Sequence, residues 1–360
     1  MNNKVIFFGA LGDKVGGGES GNKRTLFFLN KLGYKVLVIP KPYPIKSKLK
    51  YVFYPLSLLW SIIHFTFKSR RVRYSHISAF YGNLIYVEFF LVLISKLMRK
   101  KVIYEIRGGG MDYFLEKKGF FYGFCFRIVI RLSDIILSQG KENFKTLNEI
   151  LSNENKIYYY PNVLSEDKMP DHLITRNYTG NLNLIFFGRL ARDKNIKTII
   201  LSIKELINNS SINYKLKLIG EFDDLKYKKE VRKEVLGFEK YISILPPCSF
   251  TELRLHLIDS HFFIFPSSNL REGQSNSLTE SILYGVIPIA SYQGFNKSTI
   301  DKELFMFKEL NHQLISKKII KIISLGQDEL SSLSQNLQEK SRGKFSEKNA
   351  INVLSEIYGQ

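Results

Sequence analysis

The chain has 360 residues, enough for about two domains of ~150 residues each. A content of 44% hydrophobic and 24% charged residues excludes a disordered or fibrous protein. The departure is charge: 53 Lys and Arg against 33 Asp and Glu give +20. That excess calls for an anionic partner, with nucleic acid, an acidic membrane surface and phosphorylated substrates as the candidate classes.

The first residues run straight into VIFFG without the small-residue end of a signal peptide. Strands are expected at Val5–Phe8, Val36–Ile39, His76–Phe80, Val102–Ile106, Ile135–Ser138 and Ile157–Tyr160. Helical patterns fall between them near 20–32, 57–67, 84–98, 120–132 and 142–151. Such alternation of apolar strands and helices predicts a parallel sheet covered on both faces. The first strand ends in a glycine-rich loop, Gly9 to Gly18, ahead of a helix beginning near Glu19. Glycines there let backbone approach a ligand, and a helix N-terminus offers amides to an anion. The loop is neither a GxGxxG fingerprint nor a nucleoside-triphosphate loop, because Lys23 and Thr25 stand too late after Gly16 and Gly21. After the fourth strand comes Arg107-Gly108-Gly109-Gly110, a guanidinium at the carboxyl end of a parallel strand. The stretches 56–67 and 84–98 fall short of the ~20 apolar residues that span a bilayer.

The polar segment Ser165 to Asn183 reads as an interdomain linker, and the alternation then restarts. Strands are expected at Leu184–Phe187, Lys215–Ile219, Ile242–Leu245, Phe262–Phe265 and Val286–Ala290, with a last helix over Glu347–Tyr358. The strand LIFFG delivers Gly188 and Arg189, with Lys194 at the following helix entry, a place to clamp a diphosphate. Downstream, Glu272 precedes a helix opened by Ser275, Asn276, Ser277 and Leu278, and Glu280 lies inside it. Two carboxylates can thus face one ligand while helix amides meet phosphate oxygens. Asp223-Asp224 reads as a pair of helix-start carboxylates rather than a Mg²⁺ site, and there is no Asp-x-Asp motif. Cys125 and Cys248 read as buried thiols, with no disulfide framework or metal spacing.

In order and spacing these motifs resemble the retaining GT-B glycosyltransferases of family four, the group 1 glycosyl transferases. The resemblance rests on Gly188-Arg189 with Lys194, on EGQSNSLTE from Glu272 to Glu280, and on the Gly285-Val286-Ile287-Pro288 strand entry. Tyr160-Pro161-Asn162 and Gly16-Gly17-Gly18-Glu19 add to it. It implies an α/β protein of two Rossmann-like domains whose parallel sheets face across a cleft. Residues 1–165 would hold the acceptor and 166–340 the nucleotide-sugar donor, with 341–360 a helix returning to the first domain. Arg189 and Lys194 would bind the donor diphosphate and Glu272 the transferred sugar. Glu280 would contact the ribose, and the amides of Ser275–Leu278 the phosphates. Gly17 and Gly18 would lie near the reaction centre. The chain departs from the family where Arg107-Gly108 replaces His-Gly and where Gly294-Phe295 replaces paired glycines.

The reaction implied is a same-face transfer from a nucleotide sugar, a UDP-sugar for preference, needing neither a cofactor nor an obligatory metal. Residues 1–165 hold 26 Lys and Arg against 10 Asp and Glu, a net +16, whereas 166–360 hold 27 against 23, a net +4. The surplus clusters at Lys46, Lys48 and Lys50, at Lys68, Arg70, Arg71 and Arg73, and at Arg99, Lys100 and Lys101, each beside an apolar aromatic stretch. Such clusters serve as helix-end cations or as a surface for anionic lipid. No nucleic-acid reader motif accompanies them. The expectation is a cytoplasmic, peripherally membrane-bound enzyme that transfers a hexosyl or N-acetylhexosamine unit to a lipid-linked or oligosaccharide acceptor. The setting would be O-antigen or capsule-type polysaccharide assembly. A nucleotide-sugar epimerase of the same fold, or a non-catalytic module binding anionic glycan or nucleic acid, are the alternatives.

Overall fold

The structure, a computed structural model, describes residues 3–12, 17–44, 47, 49–79, 82–151 and 156–359. Residues 13–16 of the glycine loop, together with Lys46, Lys48 and Phe80, lie outside this range. The chain forms two compact units, Met1–Asn162 with Lys348–Gln360, and Val163–Glu347.

The first unit runs β1 (Lys4–Gly9), α1 (Gly17–Lys31), β2 (Lys35–Pro40), α2 (Lys50–Ser69), β3 (Tyr74–Ala79) and α3 (Ile85–Leu97). It continues through β4 (Lys101–Ile106), α4 (Met111–Lys117), α5 (Phe120–Leu132), β5 (Ile135–Ser138), α6 (Phe144–Ile150) and β6 (Ile157–Tyr159). The strands pair in the order β2-β1-β3-β4-β5-β6, parallel throughout the described residues. Val5, Phe7, Ile77, Val102, Ile103 and Ile136 are wholly buried, as strands covered on both faces require.

Helix α2 begins at Lys50, ahead of the 57–67 span expected from periodicity, and carries Pro55 inside it. Pro55, in the second turn, forfeits one backbone hydrogen bond, and the helix is held by packing against α3 and the strands β1 and β2. Helix α4 is too short for a periodic signal.

The second unit runs β7 (Leu182–Phe187), α7 (Ile196–Asn209), β8 (Tyr214–Ile219), α8 (Leu225–Val235), β9 (Ile242–Leu245), α9 (Phe250–Asp259) and β10 (Phe262–Phe265). Then follow α10 (Asn276–Leu283), β11 (Ile287–Ser291), α11 (Asn296–Ile300), β12 (Met306–Phe307), α12 (His312–Ile323) and α13 (Gln327–Lys344), after which α14 (Glu347–Gly359) belongs to the first unit. Its sheet has the order β12-β11-β10-β7-β8-β9. The order in which successive strands are added therefore reverses between β7 and β10, the crevice where open parallel sheets hold ligands. The isoleucine stripe does bury one face of α7, through Ile196, Ile199, Ile200, Ile203 and Leu206.

The expected linker is not a free tether. Arg176 within it is buried and donates to the carbonyls of Ser260 at 2.5 Å, Leu257 at 2.9 Å and Tyr284 at 2.7 Å. The amide of Tyr178 donates to the Gln327 side chain at 2.5 Å. Its polar residues thus pin backbone of the second unit, a role that composition does not separate from solvation. Cys248 corrects a second expectation. It is exposed on the Pro246-Pro247-Cys248 turn after β9, where prolines end the strand before it can be covered, whereas Cys125 is buried in α5.

Candidate active site

At the β7/β10 crevice the two following loops are stitched together. The Asn195 side chain donates to the Pro266 carbonyl at 2.7 Å, and the Ser268 amide donates to the Asp193 carbonyl at 2.8 Å. Asn195 takes a left-handed backbone, φ 51°, which asparagine tolerates better than most residues. That turn sends the Lys194 side chain back over the Phe265 ring, 4.9 Å from its centroid. There the ammonium donates to the Glu272 carboxylate at 2.5 Å, and the Ser267 hydroxyl donates to the same oxygen at 2.8 Å. Side-chain exposures of 10% for Lys194 and 12% for Glu272 make this a nearly dry ion pair. A pair so placed is held ready for exchange with a charged ligand, because desolvation weakens its net stabilisation. Sequence reasoning selected Lys194 and Glu272 but missed Ser267, since a lone serine after a strand carries no signal.

Gly294, on the loop after β11, has φ 59°, and a Cβ there would lie 2.3 Å from the Glu272 carbonyl oxygen. Only glycine lets that loop close onto the backbone of Glu272. Gly188 ends β7 with φ 130° and faces the Ser277 hydroxyl, while Gly220 after β8 sits so close to the Gly188 carbonyl that no side chain fits.

Arg189 is 56% exposed and ion-paired with Asp223, with Asp193 at 3.5 Å. Asp224 instead caps α8, accepting from the amides of Lys226 and Tyr227, and these bonds hold its carboxyl below its usual range. Beside Gly188 and Arg189 opens a cavity of about 270 Å³, lined also by Ile219, Glu221, Pro247 and Leu253. Another, of about 240 Å³, lies between α11 and α13, away from the strand ends. Lys344 on its wall donates to the carbonyls of Ser298 and Thr299, so that cation caps α11.

Helix α10 starts beside Gly188. Ser275 is its N-cap, accepting from the Leu278 amide at 3.3 Å, and its hydroxyl also meets that of Ser277 at 2.9 Å. The Leu278 amide is thus engaged, and an anion would take it over from Ser275. Asn276 and Ser277 form the first turn, and Glu280 is half-buried one turn further on.

In the first unit the expected residues fare differently. Gly17 and Gly18 open α1, beyond which the loop lies outside the described residues. Arg107 is not an open clamp. Its side chain is 3% exposed, 2.6 Å from Glu105, and donates to Thr25 at 2.7 Å and Asn162 at 3.3 Å. A Cβ at Gly21 would overlap its guanidinium, so α1 is built around this arginine. The network continues through His76, which meets Glu105 at 3.0 Å and the Tyr358 hydroxyl at 2.7 Å. Burial alone would raise the Glu105 carboxyl, but Arg107 and His76 outweigh it and hold it below its ordinary value. Among the other histidines, His261, immediately before β10, accepts from the Asn183 amide of β7 at 3.0 Å, His256 lies 3.5 Å from Lys217, and His312 lies 3.6 Å from Glu205. Among the described residues no three His, Cys, Asp or Glu side chains are grouped as metal ligands.

Residues 167–343 match the family model described as glycosyl transferases group 1. That stretch is a group 1 glycosyl transferase domain. Comparison with the sequences of curated proteins returns no match. Solved structures share the fold over the whole chain. A glycosyltransferase from Rickettsia africae ESF-5 superposes with a TM-score of 0.70 at 15% identity, covering 99% of this chain and 97% of its own. Anabaena HepE in complex with UDP gives 0.69 at 13% identity, covering 99% of both chains. The lipopolysaccharide outer core galactosyltransferase WaaB gives 0.71 at 14%, again covering 99% of both. The fold is GT-B, as in these glycosyltransferases. The group 1 domain contains Arg189, Lys194, Glu272 and Glu280.

Proposed function

We propose that the protein transfers a hexosyl or N-acetylhexosamine unit, with retention, from a nucleotide sugar to a lipid-linked or oligosaccharide acceptor. The observation that carries this reading is the Lys194–Glu272 pair at the β7/β10 crevice, beside the start of α10 and the 270 Å³ cavity. The base of the donor fits the cavity by Gly188, with its diphosphate against Arg189, Lys194 and the α10 amides. Glu272, released from Lys194 by the phosphate, then takes a hydroxyl of the sugar. The bond from the anomeric carbon to the diphosphate breaks, and the acceptor oxygen forms its bond on the same face. The acceptor proton passes to the departing phosphate oxygen. Charge developing on that oxygen is met by the two cations and the amides, so this route calls for no metal. A UDP-sugar is favoured, in keeping with the UDP bound by HepE, and WaaB's work on lipopolysaccharide agrees with a role in O-antigen or capsule-type assembly. The acceptor would be met at the cytoplasmic face of a membrane.

A thermal-shift screen of nucleoside diphosphates and nucleotide sugars tests the donor, since binding raises apparent stability. If none raises the denaturation midpoint, the reading fails. Lys194→Ala and Glu272→Ala should each lose at least ~100-fold in kcat, the scale of one electrostatic stabiliser. Near-normal turnover by either would remove its assignment. Incubation with donor alone separates transfer from epimerisation, which would isomerise the sugar without an acceptor.

A further inference from the structure

We propose that the outer faces of α2, α3 and α5 form a docking surface for an anionic lipid bilayer, with α2 lying in the plane of the headgroups. This deepens the proposed function on its acceptor side and rests on it. Helix α2 is apolar on two sides. One stripe, Leu58, Ile62 and Phe65, packs into the core of the unit. A second stripe, Phe53, Leu56, Trp60, Ile63 and Phe67, repeats every three or four residues and is exposed, Trp60 by 67% and Phe67 by 61%. A helix apolar all round needs cover on both sides, and within its unit α2 has cover on one. Its serine and threonine hydroxyls are turned onto the helix backbone. Ser57, Ser61, Thr66 and Ser69 each donate to a backbone carbonyl three or four residues earlier, at 2.7–2.9 Å.

The surface is continuous, because α3 packs between α2 and α5. It adds Leu97, 82% exposed, and Phe120, 86% exposed and stacked on Phe124. Charge selects the partner. These three helices contain a single carboxylate, Glu88, and it is buried as the acceptor for the Tyr104 hydroxyl at 2.6 Å. Every exposed charge on them is therefore a cation, including Arg127 and Arg131; Lys68 is half-buried near the end of α2, and Arg70 follows α2 with its guanidinium over the Phe67 ring. Cations predominate at the edge, where Asp134 is paired with Lys96 and Glu116 precedes α5. Such a balance beside aromatic and aliphatic side chains suits an anionic headgroup layer better than the mixed charge of a protein partner. No helix among the described residues is long and apolar enough to cross the membrane, so attachment is from one side.

Trp60 is the chain's only tryptophan and reports directly on the surface. The full chain is mixed with phosphatidylcholine vesicles with and without phosphatidylglycerol, following Trp60 emission, its quenching by brominated acyl chains, and co-sedimentation. The expected result is blue-shifted, quenched emission and sedimentation with the anionic vesicles only. Leu56→Gln/Ile63→Gln/Phe67→Gln should weaken partitioning by at least ~100-fold, since each buried side chain of this size contributes about 10-fold or more. Lys68→Gln/Arg70→Gln, which spares the apolar stripe, should weaken it by about five-fold per charge. Equal binding to both vesicle types overturns the anionic assignment. Absence of binding, or a concentration-dependent dimer that buries Trp60 instead, overturns the surface altogether. Donor-induced thermal shifts are read in parallel. Lost vesicle binding with an intact shift condemns the surface alone, and the converse condemns only the transferase reading.

Discussion

Lys194 and Glu272 hold each other in the crevice where the ligand must come, and the neighbouring Arg189 is likewise occupied, by Asp223. Under the proposed function both contacts would open to admit a diphosphate, so carboxylates would compete with the donor at both cations. The exposed Arg189–Asp223 pair is the weaker competitor, because water screens it. Asp223→Asn should therefore lower the KM for donor by about two- to five-fold with kcat little changed. A raised KM in steady-state assays would show that Asp223 orients Arg189 instead of competing for it. Gly294 is a harder constraint. Alanine there adds a left-handed penalty of ~1–2 kcal/mol and a contact with the Glu272 backbone that the loop cannot accommodate in place. Gly294→Ala should lower the denaturation midpoint and reduce kcat about 10- to 100-fold, as expected for a displaced catalytic group. Full activity in that variant would mean that the loop shifts without moving Glu272.

Among the elements, α1, β3, β4 and α14 are tied by the buried line Thr25–Arg107–Glu105–His76–Tyr358. Glu105 titrates in the fold below the ~4.3 of an unfolded glutamate, so its stabilisation is complete above that value. It fades as pH falls through the lower folded value. Wild-type protein should lose thermal stability steeply in that acid range. Glu105→Gln should start less stable at pH ~7 and show a flatter acid limb in denaturation scans. Parallel acid limbs would place the acid sensitivity elsewhere. This network marks the limit of what sequence discloses. Strand-end glycines, Lys194 and the Glu272–Glu280 spacing are local, so they were legible. The burial of Arg107 depends on Thr25, Asn162 and Glu105 converging from distant positions, and no spacing announces that. The same holds for Ser267, whose partner is set by the fold of its loop. The two-stripe character of α2 was hidden for a different reason: apolar residues on both faces blur the period by which a helix is recognised.

At the scale of the molecule, alternating apolar strands announce both sheets, and the sequence alone places the surplus charge on the first half. The ends of the chain are less transparent. Lys348–Gln360 belongs to the first unit, where the Tyr358 carbonyl accepts from Tyr34 at 3.0 Å and Tyr74 at 2.6 Å. Removing residues 348–360 would leave those hydroxyls and His76 buried without these partners, at ~1–3 kcal/mol for each group left unsatisfied. Trp60 emission should then report unfolding of the first unit at a lower temperature, while calorimetry shows the transition of the second unchanged. A single unshifted transition would contradict the division into two units.

That division also orders events at birth. A ribosome synthesises Val163–Glu347 before the segment that completes the first unit. Domains generally fold as they emerge, the earlier one first. Here the earlier one waits, with Tyr34, Tyr74 and His76 lacking the helix that satisfies them. The nascent chain therefore carries a six-stranded sheet without its covering α14, and an uncovered aromatic helix, while the whole second unit is made, a state in which a nearby membrane or a chaperone would have time to act.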